Sequence, residues 1–198
     1  VPRLTRAESQ ARTRELLLET ARRLFLDEGY SATSIAKVAD TAGFSSGAVY
    51  SNFESKAELA LAVLEQIQDE VVGQVTTIMA GTDGFEDTLV AIEVWGDEVM
   101  ASGWPRLELE FALEARRDPA LVRALADRER SVADLIATAL HRHLVTLGLA
   151  EVLPAKALAR AAISLAIGLA IQHLVDPSVT AQGLTEPLRR LLGVTAAR

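Results

Sequence analysis

Residues 33–53 read TSIAKVADTAGFSSGAVYSNF, and this stretch decides the fold. Two short helical patterns, 33–40 and 45–53, flank the segment Thr41-Ala42-Gly43-Phe44. A helix-turn-helix needs a small residue where its helices cross, a glycine in the turn where φ becomes positive, and an apolar lock in the second helix. Ala39, Gly43 and Val49 supply these at spacings of four and six. Ile35, Val38, Phe44 and Phe53 are the apolar side chains that such a pair buries against a preceding helix.

The second helix of the pair carries the chemistry. Ser45 and Ser46 stand at its start, so first-turn amides and short hydroxyl side chains can approach phosphate oxygens and base edges. Gly47 and Ala48 remove bulk from the face that would enter a groove, and the Ala48 methyl suits a thymine methyl. Tyr50, Ser51 and Asn52 project hydroxyl and amide groups from the next turn, and Lys56 is a point charge placed for a phosphate.

Outward from this stretch every signal is helical. Leu17, Ala21, Leu24 and Phe25 form one stripe at i, i+4, i+7 and i+8, and Gly29 closes that helix as a left-handed C-terminal glycine does. Ser55-Lys56-Ala57-Glu58 is a capping box, while Asp83-Gly84-Phe85-Glu86 and Asp118-Pro119 mark two further helix starts. Period-2 alternation is absent. The punctuation predicts an all-α chain of about nine helices, near 5–29, 33–40, 45–53, 55–80, 85–102, 105–116, 119–147, 154–175 and 180–192.

Composition narrows the function classes. The 198 residues are 49% apolar and 24% charged, an ordinary globular balance. Without cysteine there are no disulfides, no thiolate zinc sites and no Cys nucleophile. The net charge is −7, but residues 1–26 hold six Arg against three Glu, and residues 61–198 hold 12 basic against 19 acidic side chains. A basic head on an acidic body is compatible with DNA contact confined to the head. The first 26 residues lack the apolar run of a secretory signal. The most apolar stretch, 161–171, is broken by Ser164 and Gly168 and is shorter than the roughly 20 residues needed to span a bilayer. A cytoplasmic protein without a membrane segment is expected, and Val1 suggests a trimmed N-terminus from which a DNA-contacting arm is missing.

Thr13-Arg14-Glu15, Ala21, Leu24-Phe25, Gly29-Tyr30, Thr33-Ser34-Ile35, Ala42-Gly43-Phe44-Ser45-Ser46-Gly47, Val49-Tyr50, Phe53 and Lys56-Ala57-Glu58-Leu59 together resemble the N-terminal signature of the TetR family of transcriptional regulators. The resemblance covers residues 12–60. It implies that Thr33, Ser34 and Lys37 on the supporting helix, Ser45, Ser46, Gly47, Ala48, Tyr50, Ser51 and Asn52 on the recognition helix, and Lys56 face DNA. Asn52 departs from the family's usual His or Tyr, and Ala36 and Ala48 offer no polar head. Shape readout and backbone contacts are therefore expected to carry more of the specificity.

The same resemblance implies a helix-turn-helix domain over 1–55 and an effector-binding and dimerisation domain over 56–198. It implies a homodimer paired through its last two helices on a palindromic double-stranded DNA operator, acting as a repressor that a small ligand releases. Two recognition helices then sit about 34–36 Å apart in successive major grooves. Helix eight is apolar on nearly all sides, so one face meets its own domain and the other needs a partner. Met79, Trp95, Met100, Trp104 and Phe111 are the candidate contacts of an apolar effector.

Other constellations carry no chemistry. His141 and His143, two apart on a helix, point in nearly opposite directions and do not converge on a metal. His173 reads as a satisfied interface histidine. Glu93 with Asp97, and Glu110 with Glu114, read as solvated acidic faces, since no Glu-x-x-His accompanies them. The segment 81–84 lacks the length and the lysine of a phosphate loop. No nucleophile, base and orienter can be assembled, so no enzyme, cofactor or metal is expected. The rival reading is an apolar-ligand-binding helical adaptor whose head no longer binds DNA.

Overall fold

The computed structural model describes residues 5–81 and 84–192, and among them are nine α-helices and no strand. These are α1 (Arg6–Glu28), α2 (Ile35–Ala42), α3 (Ser46–Tyr50), α4 (Lys56–Gly81), α5 (Phe85–Ala101), α6 (Trp104–Ala115), α7 (Pro119–Thr146), α8 (Ala155–His173) and α9 (Gln182–Leu192). Each expected helix is present. The Asp83 cap lies outside the described residues; Gly84 is the N-cap of α5 and makes no side-chain cap bond.

The chain packs as two compact units, and the division does not follow the expected boundary after residue 55. One unit is Val1–Gln68 with Arg106–Arg117, which adds the first half of α4 and all of α6 after its first two residues to the helix-turn-helix. The other is Asp69–Pro105 with Asp118–Arg198.

In the first unit, α1 opens with a capping box: the Glu8 amide donates to Thr5 Oγ1 at 3.3 Å and the Thr5 amide donates to Glu8 Oε2 at 2.7 Å. Its stripe is buried as expected, with Leu17, Ala21 and Phe25 fully sequestered. Gly29 has the positive φ of 94° that a closing glycine requires, but its ψ of 164° is extended rather than left-handed helical. Gly43, at φ 75° and ψ 28°, is the true left-handed cap, donating its amide to Asp40 O at 3.2 Å. Helix α3 is shorter than the predicted 45–53 because the side chains of Ser51 and Asn52 both donate to Ala48 O, at 2.9 and 2.8 Å. The chain then leaves in a tight turn, Asn52 N–H to Val49 O at 3.0 Å. At the start of α4, Ser55 accepts the Glu58 amide at 3.1 Å, and Glu58 returns its carboxylate to the Glu54 amide rather than to Ser55.

Helix α6 joins this unit because of where its apolar face goes. Leu107, Phe111 and Ala115 are fully buried, and the Phe111 ring meets Tyr30 edge-on at 5.6 Å, while Tyr30 also lies 5.9 Å from Phe25. Two polar ties reinforce the contact: Arg106 Nη2 donates to Leu26 O at 2.8 Å, and the Ser31 amide donates to Glu110 Oε2 at 2.8 Å.

In the second unit, Asp118 caps α7 through the Ala120 amide at 2.7 Å, with Pro119 at the first helical position. The small side chains Ala133, Ala137 and Ala159 are buried where α7 runs along α8. Met100, Leu169, Ala170 and Ala181 form a further core cluster. Glu93 and Asp97 do not make the solvated face read from their spacing. Arg189 of α9 donates to Glu86 at 2.8 and 3.1 Å and also to Glu93, Thr185 donates to Glu93, and the Ala181 amide donates to Asp97 at 2.7 Å. These carboxylates fasten α9 and the residues before it to α5. Burial raises the Glu93 carboxyl, but the donors from Arg189 and Thr185 outweigh it, leaving the group below its ordinary 4.5.

On α8 the second apolar face is open, with Leu165, Ile167 and Ile171 exposed, followed by Leu174 and Val175. By length and composition alone Ala155–His173 is long and apolar enough to cross a membrane, at a mean hydropathy of 1.4, which the shorter stretch 161–171 had not indicated.

Candidate nucleic-acid interface

The helix-turn-helix separates its two faces cleanly. Ile35, Val38, Ala39, Val49 and Phe53 go inward, while Ser34, Lys37, Ser45, Ser46, Gly47, Tyr50 and Ser51 stay in solvent. Tyr50 keeps 57% of its surface, so its ring and hydroxyl stand free of the fold. Two exposed serines also cap helices: Ser34 accepts the Lys37 amide at 3.1 Å and Ser45 accepts the Ala48 amide at 3.2 Å. Lys37 pairs with Glu28 on the surface. Ala48 and Asn52 are half-buried.

Three residues expected to face DNA make contacts within the protein. Thr33 is 1% exposed; its hydroxyl donates to Gly29 O at 2.9 Å and Leu24 O at 3.3 Å, and its amide donates to Tyr30 O at 3.3 Å. Its role is to lock the α1–α2 loop. The Asn52 amide is engaged within its own helix through Ala48 O. Lys56 is half-buried, its Nζ 4.0 Å above the centre of the Tyr30 ring. Burial pushes the Lys56 ammonium below the usual lysine range, against the pull of the Glu114 and Glu110 carboxylates. Burial, with Glu114 nearby, likewise raises the Tyr30 hydroxyl.

Arg14 also turns inward. Its Nη1 donates to Asn52 O at 2.7 Å and its guanidinium lies 4.1 Å over the Phe53 ring, so it clamps α1 to the end of the recognition helix. Only part of the basic head is therefore available to a polyanion. No local spacing could signal this clamp, because 38 residues separate the partners.

The five candidate effector contacts are divided between the two units. Phe111 belongs to the first unit, buried against Tyr30, because α6 turns its apolar face to α1. Met79, Trp95, Met100 and Trp104 fall in the second unit. There, Met100 is part of the core cluster, Trp95 Nε1 donates to Gln74 at 2.9 Å, and His143 Nε2 meets Met79 O at 2.7 Å. A groove of about 250 Å³ lies instead between α7 and α8, lined by Ala133, Asp134, Lys156, Arg160, Ile163 and Ile167. His173 Nδ1 meets Val179 O at 2.8 Å within its own fold. Among the described residues no cluster of His, Cys, Asp or Glu is arranged to hold a metal.

The family described as bacterial regulatory proteins, tetR family, matches residues 17–63, which run from the buried stripe of α1 to the first turns of α4. The head is thus similar to that of TetR-family regulators. Curated relatives of the helix-turn-helix type match over part of the chain. The transcriptional activator FasR of Mycolicibacterium smegmatis is 38% identical over 82 residues, 41% of this chain and 37% of the relative. The regulator TtgR of Pseudomonas putida is 39% identical over 67 residues, 34% and 31% of the two chains. The repressor KstR2 of Mycolicibacterium smegmatis is 36% identical over 69 residues, 35% and 34%. The chain thus spans about a third of the length of these curated relatives. The fold agrees over nearly the whole chain. A transcriptional regulator from Rhodococcus sp. RHA1 superimposes with a TM-score of 0.78 at 20% identity, covering 93% of this chain and 97% of that one. A TetR-family regulator from Pectobacterium atrosepticum gives 0.72 at 24% identity, covering 98% and 99%.

Proposed function

We propose that this protein is a TetR-family, homodimeric, DNA-binding transcriptional regulator of the cytoplasm, a repressor that occupies a palindromic operator and is released by a small apolar effector. The observation that carries the reading is the two-faced helix-turn-helix: Val49 and Phe53 lock it from within, and Ser46, Gly47 and Tyr50 stand free without. A five-residue α3 reads few base pairs, and two copies about 34–36 Å apart read a palindrome in successive grooves. The open apolar face of α8 suits the second copy, with α9 beside it. The effector is assigned to the second unit, among Met79, Trp95, Met100 and Trp104, where it favours a head spacing that no longer fits DNA.

The repressor sign is supported by relatives such as KstR2, against the activator FasR. Selection of bound sequences from random duplex DNA tests the central claim, and the expected product is an inverted repeat. Binding that ignores salt between 50 and 200 mM contradicts it, because a protein neutralising several phosphates loses roughly 10³–10⁵ in affinity over that range. The chain contains two tryptophans, Trp95 and Trp104, both in the second unit, so their fluorescence reports effector binding there.

A further inference from the structure

Lys56 stands where α4 begins, beside the recognition helix, yet its charge is turned toward the protein. The Tyr30 ring lies 4.0 Å beneath Nζ, and α6, whose Phe111 packs on that ring, brings the charges of Glu110 and Glu114 to bear on it. Tyr30 cannot move aside, being wedged between Phe25 and Phe111. Glu110 is fixed by the Ser31 amide at 2.8 Å, while Glu114 is exposed and shared with Arg117 at 3.4 Å. Lys56 itself ends in a flexible stem that can swing its ammonium to another anion.

We propose that Lys56 has two addresses, the Tyr30 face beside α6 and a phosphate of bound DNA, so that the α6 carboxylates Glu110 and Glu114 are positioning residues that hold down affinity for DNA. The inference rests on the DNA-binding reading and adds a regulator of it. The two sets of anions compete for one cation, and whatever shifts α6 along the head shifts the competition.

The test uses the full chain and a short duplex of mixed sequence, at low and rising salt. Wild-type protein that binds no duplex at low salt overturns the DNA-binding reading and this inference with it, before any variant is compared. Given binding, Glu114→Gln is expected to tighten it by about twofold to fivefold per head, the scale of a partly exposed ion pair, while Glu114→Asp keeps wild-type affinity. In a Lys56→Met background the gain from Glu114→Gln is expected to vanish, and the salt slope to fall by about 0.9 per head, one phosphate contact each. An equal gain in both backgrounds means a general field effect and overturns the proposal. A direct readout is the Lys56 ε-methylene proton resonance, displaced by the Tyr30 ring current in free protein. Its return toward an ordinary position on adding DNA is expected; a displacement that persists in the complex overturns the proposal.

Discussion

The carboxylate of Glu110 accepts the Ser31 amide at 2.8 Å and occupies the space above Gly29, where a Cβ would come within 2.8 Å of Oε1. Gly29→Ala therefore meets two penalties, a positive φ of 94° and a clash with an anchored side chain. We expect a loss of about 2–3 kcal/mol, more than at Gly43, where a Cβ meets open space and only the backbone term of about 1 kcal/mol applies. Thermal melts of the two variants check the order. Equal losses would show that the Glu110 contact gives way freely.

Thr33 and Tyr50 make a contrasting pair. Thr33→Val removes a buried hydroxyl that serves Gly29 and Leu24, and is expected to lower stability by roughly 1–2 kcal/mol. DNA sequence preference should not change. Tyr50→Ala removes an exposed side chain and should leave the melting temperature within about 2 °C while altering preference among duplexes. Melting curves and binding selections on both proteins separate the roles, and a changed preference for Thr33→Val would restore it to the interface.

Phe111→Leu should cost about 1 kcal/mol through the lost edge contact with Tyr30. Because Phe111 is in the first unit, the expected result is weaker DNA binding with an unchanged Trp95 and Trp104 fluorescence signal on effector titration. A shifted effector affinity would return Phe111 to the effector site.

Local structure was legible in the residues, and long-range pairing was not. Helix starts were announced by Ser45, Ser55 and Asp118, whose caps act over two or three residues. The buried stripe of α1 followed from period alone. Exposure on α3 was legible from its polar residues, as at Ser46 and Tyr50. The internal contacts of Thr33 and Lys56 were not legible, because their partners come from an α1 carbonyl, a ring and a distant helix. Glu93 and Asp97 read as a solvated face because their i, i+4 spacing says nothing of Arg189, 96 residues away. The place of α6 was hidden for the same reason: its apolar period shows that it buries a face, but not against which helix.

The Arg189 cluster has a pH consequence. Glu93 titrates below its ordinary 4.5 in the folded protein, so its contribution to stability is complete above about pH 4.5 and is lost as pH falls through the lower folded value. Arg189→Met should lower stability at neutral pH by roughly 1–3 kcal/mol, less than for a fully buried pair because Glu86 keeps 26% of its side-chain surface. It should also flatten the acid limb. Urea midpoints between pH 3 and 7 check both, and an acid limb as steep in the variant as in wild type would dismiss Glu93 as its source.

Because α6 completes the head from a point some forty residues further along the chain, the DNA-binding half is not an excisable cassette. A fragment cut after α3 would bare Phe25 and Tyr30 to water, and exchange between relatives by one crossover would part those rings from Phe111. Inheritance of the head must therefore carry two separated stretches together, and a chimera that swaps only the first would have to find a new lid for its aromatic seam.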